Sequence, residues 1–122
     1  MAGFCVIGIY VDDIDKAVEF YCVKLGFKEL QRYNDDCIVR LENDGPTVIL
    51  EKVENPNMST FPNYAQVILG IETNDIEAKA KELREKGVEF LQDGPQPFVA
   101  GLYMNMKDPA GNVLDLLQFR EE

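Results

Sequence analysis

The chain has 122 residues, of which 46% are hydrophobic and 28% are charged, so it has the size and composition of one folded domain and is not a disordered polypeptide. Twelve basic against 22 acidic residues give a net charge of −10, which repels a phosphate backbone and excludes nucleic acid as an expected partner. No apolar stretch approaches the roughly 20 residues of a membrane-spanning helix, so we expect no membrane association and a cytoplasmic location.

The net charge allows two interpretations. The net charge serves solubility, or it gives a negative cleft that attracts a cationic small molecule.

The three cysteines, Cys5, Cys22 and Cys37, are an odd number without CxxC spacing, so neither a full disulfide framework nor a zinc site is indicated. We predict that they are buried free thiols.

The first half of the chain is predicted to form a strand, a helix and three further strands. Apolar residues run through Phe4–Val11, and Asp12 and Asp13 then offer a helix N-cap. The helix is predicted to end near Gly26, where a left-handed C-cap is expected. Turn residues separate the three strands that follow. These strands are predicted at Phe27–Tyr33, Cys37–Leu41 and Thr47–Val53.

The second half repeats this order. Aligning Asp13-Ile14 on Asp75-Ile76 gives an offset of 62 residues, about half the chain. A strand at Ala65–Ile71 leads into a helix that ends near Gly87, and three further strands are predicted at Val88–Leu91, Phe98–Met106 and Asn112–Phe119. We therefore predict one domain built from two modules, residues 1–53 and 64–122, which a polar, proline-containing surface linker at residues 54–63 connects.

The order of the elements and two short motifs resemble the vicinal oxygen chelate superfamily, which includes glyoxalases, bleomycin-resistance proteins and extradiol dioxygenases. Residues 10–21 (YVDDIDKAVEFY) followed by Leu25-Gly26-Phe27 are similar to its opening strand and helix, and residues 108–116 (DPAGNVLDL) are similar to its closing DPxGN turn and strand. The resemblance implies an α+β fold of two tandem βαβββ modules with pseudo-twofold symmetry, whose curved mixed sheet surrounds a cleft. It also implies a homodimer, because small members commonly complete their sites across two chains.

Metal-dependent members of this superfamily place ligands on the first and last strands of each module. The usual first-strand histidine corresponds to Val6 in the first module, which cannot bind a metal, and to Gln66 in the second. Glu51 is the best candidate for the acidic ligand of the first module, and Asp115 takes the place of the usual glutamate near the C-terminus. The chain has no histidine, so Glu51, Gln66 and Asp115 form an all-oxygen set that suits Mg²⁺, Mn²⁺ or Ca²⁺ better than Zn²⁺ or Ni²⁺.

Strand alternation predicts further residues of the cleft. Tyr10 shares a face with Val6, and the cleft lining is mostly apolar. Tyr103 and Met104 lie on opposite faces of one predicted strand, so only one of them faces the ligand, and the alternation does not decide which. We take Gln66, Asp115, Tyr10 and Tyr103 as candidate ligand-binding residues.

Two functions remain open. The first is a metal-free protein that binds a drug or metabolite in the cleft between the modules, in the manner of the bleomycin-resistance branch; the lost histidines and the acidic charge favour it. The second is a divalent-metal-dependent lyase or isomerase that acts on vicinal oxygens, with Glu51 as a metal ligand or as the catalytic base. Without histidine, a Ser–His or Cys–His pair is impossible, so no hydrolase constellation is indicated.

Overall fold

The computed structural model describes residues 2–56, 61–64 and 66–121. The chain divides into two compact units, residues 1–58 and 59–122. The predicted α+β class is confirmed, since each unit combines a sheet with helical segments. Residues 57–60 of the predicted linker and Ala65, the predicted start of a strand, lie outside the described residues.

The first unit is a four-stranded mixed sheet that carries one helical segment. Its strands are β1 (Val6–Val11), β2 (Glu29–Tyr33), β3 (Ile38–Leu41) and β4 (Thr47–Lys52), in the spatial order β1-β4-β3-β2. The pair β1–β4 is parallel and the other pairs are antiparallel. The βαβββ order predicted for the first half of the chain is therefore present.

The second unit repeats that connectivity and adds one strand. It contains β5 (Leu69–Glu72), α2 (Ile76–Glu85), β6 (Glu89–Phe90), β7 (Gln96–Phe98), β8 (Gly101–Lys107) and β9 (Val113–Phe119). The sheet order is β5-β9-β8-β6, and β7 also pairs with β8. The strand predicted at Phe98–Met106 is present as β8, but its predicted start is wrong. A turn at Val99 and Ala100 separates Phe98, which belongs to β7, and the two strands form a hairpin.

Both helices begin where the repeat predicts. The Asp13 carboxylate accepts a hydrogen bond from the backbone N–H of Lys16 at 3.1 Å, and the Asp75 carboxylate accepts one from Ala78 at the same distance. Such N-caps each stabilise a helix by about 1 kcal/mol. The first helix, α1 (Ile14–Val18), continues as a π-helical segment at Glu19–Lys24 rather than as the regular helix that we predicted.

Each helix covers one face of its own sheet. In the first unit, residues such as Val11, Leu50 and Tyr21 are buried, and in the second unit Leu83 and Leu116 are buried in the same way. The alternate side chains of each strand point to the opposite, open face. The Val6, Gly8 and Tyr10 positions lie on that face in β1, whereas Ile9 and Val11 belong to the core.

The cysteines are free, as predicted, but they are not buried. Cys5 is exposed, and Cys22 and Cys37 are half-buried. The prediction of burial was wrong because Cys5 precedes β1, which starts at Val6 rather than at Phe4. Among the described residues, no helix combines the length and the apolar character that crossing a membrane requires.

Candidate functional site

The open face of the second sheet forms one wall of a cavity of about 580 Å³. Every residue that lines it belongs to the second unit. The lining residues are Phe61, Pro62, Ile68, Leu91, Gln92, Phe98, Tyr103, Asn105, Asp115 and Leu117. Most of this surface is apolar, and a volume of this size is typical of small-molecule sites.

Two aromatic residues of the lining, Phe98 and Tyr103, lie at the β7–β8 hairpin. The rings of Phe98 and Tyr103 meet edge to face with centroids 6.2 Å apart, and Phe98 meets Phe119 in the same way at 6.3 Å. Edge-to-face contacts fix the positions of rings beyond what simple burial does. The sequence left open whether Tyr103 or Met104 faces the ligand; Tyr103 lines the cavity, and Met104 is fully buried in the core.

Three polar side chains form a connected group in the cavity wall. Gln92 Nε2 donates a hydrogen bond to Asn105 Oδ1 at 2.6 Å, and the backbone N–H of Asn105 donates to Gln92 Oε1 at 2.7 Å. Asn105 Nδ2 in turn donates to Asp115 Oδ1 at 2.5 Å. Asn105 is only 4% exposed, so the cavity has a satisfied polar wall within apolar surroundings.

Burial raises the pKa of Asp115, because the cavity removes water from its carboxylate, and the hydrogen bond from Asn105 acts in the opposite direction. A carboxylate in such a position gains from any donor or cation that replaces the lost water. A cation or a hydrogen-bond donor placed beside Asp115 would therefore lower this pKa toward its ordinary value.

The DPxGN motif forms a turn that is stabilised by its own hydrogen bonds, and this turn positions Asp115. Asp108 Oδ1 accepts hydrogen bonds from the backbone N–H groups of Ala110 and Asn112 at 2.9 and 2.8 Å. Gly111 has a φ of 91°, a conformation that favours glycine. The turn delivers the chain into β9, where Asp115 pairs with Asn105 of β8 in the antiparallel register.

The other predicted site residues are distributed over the two units. Tyr10 and Glu51 belong to the first unit, where they are direct partners in the parallel register of β1 and β4, and Tyr10 is 50% exposed. Gln66 precedes β5. Its Nε2 lies 3.4 Å from Val113 O, and its buried Oε1 has no hydrogen-bond partner among the residues that the structure describes. The repeat offset of 62 matches Val6 to Ile68 rather than to Gln66, and Ile68 is the residue that lines the cavity.

The described residues that line this cavity do not fit a tightly held divalent ion. Among residues 2–56, 61–64 and 66–121, no three His, Cys, Asp or Glu side chains lie close enough together to hold a metal. Among the described residues that line the cavity, Asp115 is the one acidic residue, and its Oδ1 already accepts a hydrogen bond from Asn105. Hard cations such as Mg²⁺ and Ca²⁺ require several oxygen ligands, which this lining does not supply.

Several lining residues were missed by the sequence analysis. Phe61 and Pro62 fall in the predicted surface linker, and Gln92 lies in a turn region without periodicity. Asn105 was detectable, because strand alternation places it on the same face as Tyr103. Gln92 carried no such signal, since its role depends on the chain folding back onto β8.

Comparisons with known proteins agree with this architecture. The family model described as Glyoxalase/Bleomycin resistance protein/Dioxygenase superfamily matches residues 3–116. A probable lactoylglutathione lyase from Synechocystis sp. is 24% identical over 120 residues, which cover 90% of each chain. The crystal structure of TnmS3, an antibiotic binding protein from Streptomyces sp. CB03234, matches with a TM-score of 0.74 and 24% identity over 98% of each chain. A glyoxalase/bleomycin resistance protein/dioxygenase from Alicyclobacillus acidocaldarius matches with a TM-score of 0.77 and 21% identity over 98% of this chain and 92% of that one.

Proposed function

Because the chain belongs to the Glyoxalase/Bleomycin resistance protein/Dioxygenase superfamily, we propose that it binds a small, largely apolar organic molecule in the cavity of its second unit, without a tightly bound metal ion. One observation carries this proposal: the cavity has apolar and aromatic walls that surround one connected polar group. Apolar walls supply affinity, and a few fixed polar groups supply orientation. The similarity to an antibiotic binding protein supports a drug or a metabolite as the ligand.

The charge of the chain favours a cationic ligand. The net charge of −10 attracts cations from solution, and Asp115 places a carboxylate in the wall of the cavity. No catalytic step is required for this function, since sequestration alone removes the molecule from solution.

Fluorescence titration with an aromatic amine tests the proposal. The probe is 9-(aminomethyl)anthracene, which combines an apolar ring system with a protonated amine. We expect saturable binding to the wild type and weaker binding to Tyr103→Ala, which removes an aromatic wall. Tyr33→Ala is the matched control, because Tyr33 is a half-exposed tyrosine of the first unit. Absence of saturable binding to the wild type would reject the proposal.

The second candidate is a divalent-metal-dependent lyase or isomerase, with Glu51 as ligand or base. The similarity to a probable lactoylglutathione lyase supports it, whereas the residues that line the cavity of the second unit argue against it. Thermal melts with Mn²⁺, Mg²⁺, Ni²⁺ and Zn²⁺ distinguish the two candidates. Stabilisation of the wild type that both Glu51→Ala and Asp115→Ala abolish would favour the enzyme. An unchanged melting temperature would favour metal-free binding.

We further propose that the protein is cytoplasmic and that it forms a homodimer. The dimer is what the resemblance to small members of the superfamily implies. Light scattering at micromolar concentration tests the dimer, and a mass of one chain would reject it.

A further inference from the structure

We infer that Gln92 and Asn105 are positioning residues that hold Asp115 as a dedicated hydrogen-bond acceptor, so that the cavity selects ligands that present a donor and rejects ligands that present a carboxylate. The inference rests on the proposed ligand-binding function of this cavity. It assigns a role to two residues that the sequence pattern did not identify.

The backbone N–H of Asn105 determines which atoms of the Gln92 and Asn105 side-chain amides donate and which accept. The N–H of Asn105 can only donate, and it lies 2.7 Å from Gln92 Oε1. The other end of the same amide, Gln92 Nε2, must therefore be the donor, and it lies 2.6 Å from Asn105 Oδ1. This arrangement leaves one orientation for the side-chain amide of Asn105.

With its oxygen facing Gln92, Asn105 turns its Nδ2 group to Asp115. Nδ2 donates to Asp115 Oδ1 at 2.5 Å. Among the residues that the structure describes, none donates to Asp115 Oδ2, and Asp115 lines the cavity. The hydrogen-bonded group of Gln92, Asn105 and Asp115 therefore ends at Asp115 Oδ2, which can accept a hydrogen bond from a ligand in the cavity.

Neighbouring contacts hold Gln92 in place. Arg84 Nη2 donates to the carbonyl oxygens of Gln92 and Asp93 at 2.7 and 2.9 Å, which fixes this turn to α2. The backbone N–H of Leu91 donates to Asn105 O at 2.8 Å. Because Asn105 is buried, a flip of its amide would place like groups against each other without water to compensate. The polarity of the wall is therefore fixed before a ligand arrives.

Three probes of one shape test this selectivity. They are 9-(aminomethyl)anthracene, 9-methylanthracene and 9-anthracenecarboxylate, which present a donor, neither group and an acceptor. We expect the wild type to bind the amine at least about tenfold more tightly than the carboxylate, because like charges brought together in a water-poor site repel strongly. In Asp115→Asn, Asn105 still donates to Oδ1 and an N–H group replaces Oδ2, so the preference for the amine should disappear or reverse.

Gln92→Met tests the positioning role itself. The change keeps the length of the side chain but removes both of its hydrogen bonds, so Asn105 becomes free to turn. We expect the ratio of amine to carboxylate affinity to fall severalfold, and this fall to exceed any change in the affinity for 9-methylanthracene. The side-chain amide signal of Asn105 in a ¹⁵N NMR spectrum should shift in the same variant. Gln96→Met is the matched control, because Gln96 is exposed in the same unit and its side chain bonds only Gly94 O.

The outcomes separate the inference from the proposed function. If 9-methylanthracene binds but the wild type shows no preference for the amine, the inference is overturned and ligand binding stands. If Gln92→Met weakens all three probes equally, Gln92 has a purely structural role and the inference is again overturned. If none of the probes binds the wild type, both proposals are overturned.

Discussion

A Cβ atom on Gly70 would lie 2.7 Å from Cδ1 of Leu117, a residue that lines the cavity. Gly70 is also the direct partner of Asp115 in the parallel register of β5 and β9. The missing side chain at Gly70 therefore leaves room for the wall of the cavity. One repeat earlier in the chain, Gly8 stands at the equivalent position and has no atom within 4 Å of its Cβ position.

Gly70→Ala should lower the affinity for a ligand in the cavity, with a smaller effect on the free energy of unfolding. Leu117 can turn away from the new methyl group, but it then moves within the cavity wall. We expect 9-methylanthracene to bind about tenfold more weakly, since overpacking costs on the order of 1–3 kcal/mol. Fluorescence titration measures the affinity, and Gly8→Ala is the matched control. Equal affinities for the two variants would contradict the prediction.

Gly101→Ala should destabilise the second unit. Gly101 has a φ of 156°, and a Cβ there would lie 2.0 Å from the backbone oxygen of Gln118, which cannot move without breaking the β8–β9 pairing. We expect the free energy of unfolding to fall by about 3 kcal/mol or more. Urea denaturation measures the loss. Gly94→Ala is the control, since no atom lies within 4 Å of its Cβ position, and a similar loss in both variants would contradict the stated cause.

Asp115→Asn should change how stability depends on pH. Burial raises the pKa of Asp115 above its ordinary value of 3.8, so the folded state keeps the proton to a higher pH than the unfolded state does. As the pH rises from 3.8 through the raised pKa, the wild type loses stability from this group, and the variant does not. We expect the stability of the variant relative to the wild type to increase across that window. Urea denaturation between pH 3.5 and 7 measures it, with Asp44→Asn as the control for an exposed carboxylate. A difference independent of pH would contradict the prediction.

The three free cysteines should differ in reactivity. Cys5 is exposed, whereas burial raises the pKa of the Cys22 thiol and the nearby Glu29 carboxylate raises it further. Since the thiolate is the reactive form, we expect iodoacetamide at pH 8 to modify Cys5 about tenfold faster than Cys22. Mass spectrometry of proteolytic peptides over time measures the two rates. Equal rates in the folded protein would contradict the prediction, and equal rates in urea are expected.

The elements that the sequence predicted correctly are those with a local cause. Asp13 and Asp75 cap helices through hydrogen bonds to backbone groups three residues ahead, so the signal lies within one turn. Gly26 and Gly87 have φ values of 90° and 88°, as a left-handed C-cap requires. The offset of 62 residues then predicted both modules at once, because the same local signals recur.

The candidate site was only partly predictable. The resemblance at the DPxGN motif identified Asp115 as a candidate site residue, whereas strand alternation left open whether Tyr103 or Met104 faces the cavity. Asp115 and Tyr103 both line the cavity. Gln92 was not predictable, because it acts on Asn105 across 13 residues through a turn without periodicity. The division of residues 98–106 into a hairpin was also missed, because Val99 and Ala100 are not typical turn residues.

The sequence by itself determined the family, the repeated βαβββ order apart from the added strand β7, and the acidic residue that lines the cavity, since short-range patterns and motifs encode all three. Only the tertiary structure decided which side chains contact that acidic residue. Sheet register brings Asn105 beside Asp115, and the turn after β6 brings Gln92 beside Asn105. A hydrogen-bond donor thus occupies one of the two carboxylate oxygens of Asp115, and this depends on distances that no local pattern specifies.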